Sequence, residues 1–202
     1  LLVRRAGSTL GVRNKDEAEG TFVRPTPAPF VQERFTALLE VVREMHSAAN
    51  EDEIAFRIID AVVRTADLDR VGIVRLVDGE IEALAVRLGD VGGESMKTTP
   101  FSRTLVRAAI EAGTSIRLDE FPEMLGAESL ANAGVSKALC VPIDVGDGLE
   151  HVLYADARGG SLEDGELVAW CEALARVHEI AIGSFRREGA EADRARLMGE
   201  MS

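Results

Sequence analysis

The side chains that could do chemistry in this chain are few and widely spaced. The three histidines, His46, His151 and His178, fall on three different predicted elements. They show no metal-ligand spacing such as H-x-x-x-H, and the sequence contains no C-x-x-C pair. We therefore interpret each histidine as an ordinary surface or packing residue and predict no metal site.

The two cysteines, Cys140 and Cys171, are predicted to be buried free thiols. Cys140 lies between Leu139 and Val141, and such apolar surroundings raise the pKa of a thiol and leave it inert. The composition is not that of a small secreted scaffold, which argues against a disulfide. The sequence also lacks the G-x-S-x-G arrangement of a nucleophilic serine and any Gly-rich phosphate loop. We therefore predict that the chain is not an enzyme.

A candidate binding site lies where a helix is predicted to begin. Ser102, Arg103 and Thr104 stand at this start, where free backbone N–H groups and the helix dipole favour anions. Asp119 and Glu120 follow the next predicted strand. Arg103 either pairs with a surface carboxylate or helps to hold a small anionic ligand. We take these five residues as the candidate ligand-binding set and assign no cofactor to them.

The elements that must position these residues are organised around two strands, at 135–145 and 151–158, joined by a short Asp/Gly turn. Both faces of the first strand are apolar, which indicates that the strand is covered on both sides. Asp156 and Arg158 lie two apart on one face of the second strand, and we interpret them as structural.

The remaining elements follow from local signals. An apolar stripe at helical spacing predicts a first helix, and Asn50 is the predicted cap of a second. Asp78-Gly79 predicts a hairpin, and Gly113 the end of the helix that Ser102 caps. A long helix from Asp164 to about residue 200 closes the chain. The stripe of the first helix is Phe35, Leu38, Leu39, Val42 and Met45, and the core face of the last is Leu167, Trp170, Cys171, Leu174, Val177, Ile180 and Ala181.

This order of elements indicates an α+β fold with a central antiparallel β-sheet. The N- and C-terminal helices are predicted to pack on one face, and short helices and loops, including residues 121–134, to cover the other. We divide the chain into a linker or tail of a preceding domain (1–30), a core domain (31–186) and a helical extension toward a downstream effector (187–202).

Four segments of the chain resemble GAF domains of the bacterial signalling type. "SKALCVPI" and "HVLYADAR" are similar to the central hairpin of that family. "PFSRTLVRAAIEAGTSIRLDE" and "SLEDGELVAWCEALARVHEIAI" are similar to its helix–strand segment and its closing helix. The resemblance covers residues 31–186, with His151 at a usual glycine position and Leu162 at a usual phenylalanine position.

The resemblance implies a non-catalytic sensory domain whose small-molecule or partner input passes through the C-terminal helix to an adjacent signalling domain. Such domains often follow a phosphopeptide-binding FHA domain, of which residues 1–30 would be at most the end. Two alternatives stay open: an enzyme of the methionine-sulfoxide-reductase type, which would need reactive cysteines, and a structural spacer without a ligand. Because some GAF domains bind haem or metal, a ligand role is the alternative interpretation of the histidines.

Charge and composition bear on the partners. The formal net charge of -12 argues against a nucleic-acid surface, and no apolar run approaches the roughly 20 residues that span a bilayer. The chain after Phe185 is rich in Arg, Glu and Ala and carries Gly189 and Gly199, so this tail is marginal as a lone helix. We therefore expect a cytoplasmic homodimer through the terminal helices, with Leu197 and Met201 at a coiled-coil seam.

Overall fold

The computed structural model describes residues 29–66, 68–89, 101–118, 135–146, 150–158 and 165–200. Its five-stranded sheet is antiparallel throughout, in the order β2-β1-β5-β4-β3. The predicted α+β class with a central antiparallel sheet is confirmed. The elements are α1 (Pro29–Met45), α2 (Glu51–Thr65), β1 (Arg70–Val77), β2 (Glu80–Leu88), α3 (Arg103–Ala112), β3 (Ile116–Arg117), β4 (Lys137–Asp144), β5 (Glu150–Ala157) and α4 (Gly165–Glu200).

Local chemistry sets the ends of these elements where the sequence predicts. The Asn50 side chain accepts a hydrogen bond from the backbone N–H of Glu53 and so caps α2. Asp78 and Gly79, at φ 52° and 83°, form the turn between β1 and β2. Gly113 ends α3 in the left-handed conformation, at φ 63°.

The sheet separates two hydrophobic layers. On one face it packs against α1, α2 and α4, and on the other against α3. Alternate residues of β4 enter the two layers, so this strand is covered on both sides as predicted. The first layer contains Ile54, Ile58, Ile73, Leu139, Leu153 and Leu174, and the second contains Val74, Leu105, Val106, Cys140, Val152 and Tyr154.

The helix α4 is much longer than the domain it covers. Its 36 residues extend about 54 Å at 1.5 Å per residue, and its side chains are exposed from residue 187 to 199. A hydrogen bond from the Trp170 indole N–H to Thr65 Oγ1, 2.9 Å long, joins its first half to α2. The last third of α4 is therefore exposed and packs little against the described part of the domain.

One assignment on α4 is wrong for the single chain. Ile180, predicted on the core face, is 69% exposed, whereas Ile182 is 1% exposed. The physical reason is the helical period: the buried face follows Leu174, His178 and Ile182, and a residue two positions from His178 is turned about 200° away from it.

Several predictions concern residues outside those that the structure describes. They are residues 1–28 of the linker or FHA-domain end predicted at 1–30, the cover at 121–134, the helix start at Asp164 and the seam position Met201. The division at residues 31, 186 and 187 stays a prediction.

Candidate functional site

The predicted anion site is only partly within the described residues. Ser102 caps α3, its Oγ accepting a 3.3 Å hydrogen bond from the N–H of Leu105. Arg103 is exposed and forms a 2.6 Å ion pair with Glu80 of β2. Thr104 is exposed, while Asp119 and Glu120 lie outside the described residues.

A buried ion pair lies on the same face of the sheet, behind the start of α3. Arg70 of β1 and Asp156 of β5 are register partners, with exposed fractions of 1% and 0%. Arg70 donates from Nε to Asp156 Oδ2 over 3.2 Å and forms a second, shorter bond from Nη2. Asp156 thus has a structural role, as the sequence interpretation holds, and the backbone N–H of Arg158 donates to Asp69.

Aromatic rings enclose this ion pair. The Arg70 guanidinium lies 4.3 Å from the ring centre of Phe101 and 5.5 Å from that of Tyr154, within cation–π distance of both. Phe101 and Tyr154 meet edge to face at 5.0 Å. Phe101 can reach this position because Gly72 has no side chain, since a Cβ there would lie 3.3 Å from the ring and 3.0 Å from the Ala85 carbonyl oxygen.

Burial dominates the electrostatics of the cluster. It raises the pKa of Asp156 above the ordinary carboxyl value, although the Arg70 guanidinium opposes the shift. Burial, and then the negative charge of Asp156, raises the pKa of the Tyr154 phenol well above its usual value. The buried Arg70–Asp156 pair and the Tyr154 ring therefore lie next to Phe101 at the start of α3. No local sequence signal predicts this arrangement.

Both cysteines are fully buried and free, as predicted. Burial raises the pKa of the Cys171 thiol to about 12 and that of Cys140 well above its ordinary value. Cys140 belongs to the layer under α3 and Cys171 to the layer under α4, so the sheet lies between them.

The histidines divide into one exposed and two buried residues. His46, at the end of α1, is exposed, whereas His151 of β5 and His178 of α4 are 2% and 1% exposed. The two buried rings face each other with centres 6.1 Å apart. His151 therefore faces the layer of α2 and α4 and not the face that carries α3. His151 stands at a usual glycine position, which is a signal in the sequence. That signal does not indicate that His178 lies opposite it.

An apolar groove lies between α1 and α4. It encloses about 250 Å³ and is lined mainly by apolar side chains, among them Val42, Met45, Val177, Ile180 and Phe185. Next to it on α1, Phe35 and Leu39 are 59% and 54% exposed. The predicted stripe of the first helix is thus largely on the surface of the single chain.

None of the described helices combines the length and apolar character needed to cross a membrane. Nor do three or more His, Cys, Asp or Glu side chains converge at metal-binding spacing within this part of the chain.

No protein-family model and no curated protein matches the chain. Solved structures do resemble it. The chromophore-binding domain of a bacteriophytochrome from R. palustris aligns with a TM-score of 0.61 and 14% identity, over 81% of this chain. The chain spans 64% of the length of that structure.

Two further structures match over nearly their whole length. The GAF domain from a phosphoenolpyruvate-protein phosphotransferase of Coxiella burnetii has a TM-score of 0.61 and 18% identity, covering 81% of this chain and 99% of its own. Free methionine-R-sulfoxide reductase from Neisseria meningitidis, in complex with its substrate, has a TM-score of 0.60 and 16% identity, covering 81% and 95%. The chain therefore has the GAF-domain fold, as its sequence resemblance implies.

Proposed function

We propose that the chain is a non-catalytic sensory and dimerisation domain of the GAF type, acting in a cytoplasmic signalling protein. The observation that carries this proposal is the exposed apolar surface that α1 and α4 share, continued by the exposed tail of α4 at 187–199. The GAF fold is consistent with a sensory role but does not by itself name the input.

A second copy of the chain is the partner that fits this surface. Phe35, Leu39, Val42 and Ile180 are between 43% and 69% exposed, and all four belong to the terminal helices. Contiguous apolar surface of this kind marks an interface, and closed twofold symmetry is the commonest way to cover it. A parallel partner helix would also support Leu197, which is 62% exposed in the tail, in a coiled-coil seam.

The helix α4 is suited to carry a signal because it packs against α1, α2 and the sheet and then leaves the domain. Its Glu179 accepts a 2.9 Å hydrogen bond from the Asp144 N–H at the end of β4. Its Arg186 forms a bidentate ion pair with Glu51 at the start of α2, donating from Nε to Oε1 over 2.7 Å and from Nη2 to Oε2 over 3.0 Å. A ligand or partner that biases two packings of this layer would therefore move the tail and any effector joined to it.

The input we propose is a small anion at the start of α3, held by Ser102, Arg103 and Thr104 with Asp119 and Glu120 nearby in sequence. Arg103 is engaged with Glu80, but both side chains are more than half exposed. An exposed pair of this kind contributes about 1 kcal/mol or less, so a ligand can replace it at little cost.

The enzyme alternative has the fold in its favour, since a methionine-R-sulfoxide reductase shares it. Against it stand the two cysteines, because buried thiols with raised pKa values are poor nucleophiles and the sheet keeps them apart. The spacer alternative differs from the sensor only in having no ligand, and a ligand titration separates the two.

Light scattering on the full chain tests the dimer. We expect twice the chain mass at tens of micromolar, and a weaker dimer with a folded core when the chain is cut after Phe185. Ile180→Glu should also weaken the dimer, because it places a charge in the apolar groove without touching the monomer core. Ala112→Glu, at an exposed position on α3, is the control and should leave the mass unchanged. A monomeric full-length chain would remove the basis of the helix relay.

Calorimetry with inorganic phosphate as the probe tests the anion site. Arg103→Ala should weaken phosphate binding by up to a few kcal/mol without unfolding the domain, since the side chain is exposed. Equal binding by the variant and the natural chain would exclude Arg103 from the site.

A further inference from the structure

The buried histidines His151 and His178 face a cavity on the sheet face opposite α3. The cavity encloses about 300 Å³ between the sheet, α2 and α4. Its lining consists of Glu51, Asp52, Arg75, Glu82, Ala83, Leu84, His151, His178 and Ile182. Each imidazole is at least 98% buried, His151 at the start of β5 and His178 in the middle of α4.

Within the described part of the chain, neither imidazole has a hydrogen-bond partner. Both ring nitrogens of His151 and both of His178 are buried without a donor or acceptor in reach. An unsatisfied buried polar atom costs on the order of 1–3 kcal/mol, so four of them on two facing rings need an explanation. Burial lowers the pKa of His151, and it lowers that of His178 to about 3, so near neutral pH each ring is uncharged and offers one lone pair.

The charges around the cavity favour a cation over an anion. Arg75 is paired with Glu82 at 2.7 Å, and Arg186 with Glu51 at 2.7 Å. Asp52 adds a further carboxylate to the lining, so the carboxylates outnumber the guanidinium groups. Arg186 and Arg75 each lower the pKa of His151 more than Glu51 raises it, but both guanidinium groups are already paired with carboxylates. An anionic ligand would therefore meet no unpaired guanidinium among these residues, whereas a cation would meet neutral nitrogen donors.

We propose that His151 and His178 bind one divalent transition-metal ion of the zinc class, with the Glu51 carboxylate as third ligand and water completing the shell. Imidazole nitrogen is a preferred ligand of zinc, cobalt, nickel and copper, whereas magnesium and calcium prefer oxygen. Glu51 lines the same cavity as both imidazoles.

Forming the site requires small side-chain movements. No three ligand groups stand at metal-binding spacing in the described part of the chain. Because a zinc–nitrogen bond measures about 2.0–2.1 Å, two imidazoles on one ion have their centres about 5–6 Å apart. The observed separation is 6.1 Å, so rotation of the two side chains can close the gap. Each oxygen of Glu51 can keep its bond to Arg186 and still present a lone pair to the ion.

The ion would connect β5, α2 and α4 at one point. It would thereby hold α4 against the sheet at His178, about two and a half turns before the exposed tail begins at residue 187. This inference depends neither on dimerisation nor on a ligand at α3.

The test uses the full chain after treatment with a chelator. Zinc should raise the Tm by roughly 5 °C at a hundredfold excess over its Kd, and magnesium should not. Cobalt should give the visible absorption of a nitrogen-ligated ion. His151→Gln and His178→Gln should each weaken binding at least about tenfold. His46→Gln, which changes the exposed histidine, is the matched control and should bind as the natural chain does.

A second measurement covers the case in which the buried variants do not fold. Imidazole nitrogen resonances of the natural chain should shift with zinc at His151 and His178 and not at His46. The proposal is overturned if zinc shifts only His46, if it shifts none of the three, or if folded His151→Gln and His178→Gln bind zinc as tightly as the natural chain.

Discussion

Asp156 is the residue on which the polar part of the core depends most. Its charge is fully buried and is balanced by one guanidinium, that of Arg70, which comes from a strand 86 residues earlier. Removing one partner of a buried pair leaves the other charge without compensation, and that costs far more than the pair itself contributes.

We therefore expect Asp156→Asn to lower the free energy of unfolding by about 3 kcal/mol or more. Asp60→Asn is the control, because Asp60 and Arg87 form a similar pair in which both side chains are more than 40% exposed. It should cost about 1 kcal/mol or less. Urea unfolding measures both, and equal effects of the two changes would contradict the dominant role of burial.

The cysteines give a prediction about reactivity. Because burial raises the pKa of both thiols, Ellman's reagent at pH 8 should label them slowly in the folded chain and quickly in urea. Fast labelling of Cys140 in the folded chain would contradict this. A methionine-sulfoxide reductase turnover that is lost in Cys140→Ala would overturn the proposal of a non-catalytic domain.

For single residues, the sequence predicts those properties that depend on the adjacent residues in the chain. The inert character of Cys140 follows from Leu139 and Val141 beside it. The partner of Asp156 and the pairing of His151 with His178 could not be predicted, because each joins elements whose approach is set by the sheet and the helices above it.

At the scale of the elements, caps and turns were the most predictable features. Asn50, Ser102 and Gly113 act through hydrogen bonds or backbone angles within four residues, and Asp78-Gly79 through two positive φ angles. The apolar stripe of α1 was predictable as a stripe, but periodicity does not say which element covers it. Phe35 and Leu39 are accordingly exposed in the single chain.

Two glycines should respond to alanine in opposite directions. A Cβ on Gly72 would press on the Ala85 carbonyl oxygen and on Phe101, so Gly72→Ala should cost about 1–3 kcal/mol in urea unfolding. A Cβ on Gly189, in the exposed tail of α4, would meet nothing within 4 Å. Gly189→Ala should therefore stabilise the tail by up to about 1 kcal/mol, seen as slower amide exchange at 187–199. Faster exchange there would argue against a helical tail.

At the scale of the whole molecule, the two layers follow from one strand. The side chains of β4 are apolar on both faces of the sheet, so both faces have to be covered. Helix α3 covers one face, and α1, α2 and α4 cover the other. What the sequence did not predict is how each layer treats its polar residues. One encloses an ion pair between aromatic rings, and the other leaves two imidazoles facing a cavity.

Because α4 is one continuous helix, its length determines the direction in which a domain attached to its end would face. A single helix runs from the packed core at Leu167 to the exposed end of the tail. Each residue inserted or removed between 187 and 199 therefore turns whatever follows by about 100° and shifts it by about 1.5 Å. Removing one residue would present an attached domain on a different side. Removing seven would return it to within about 20° of its first direction, about 10.5 Å or two helical turns closer to the sheet.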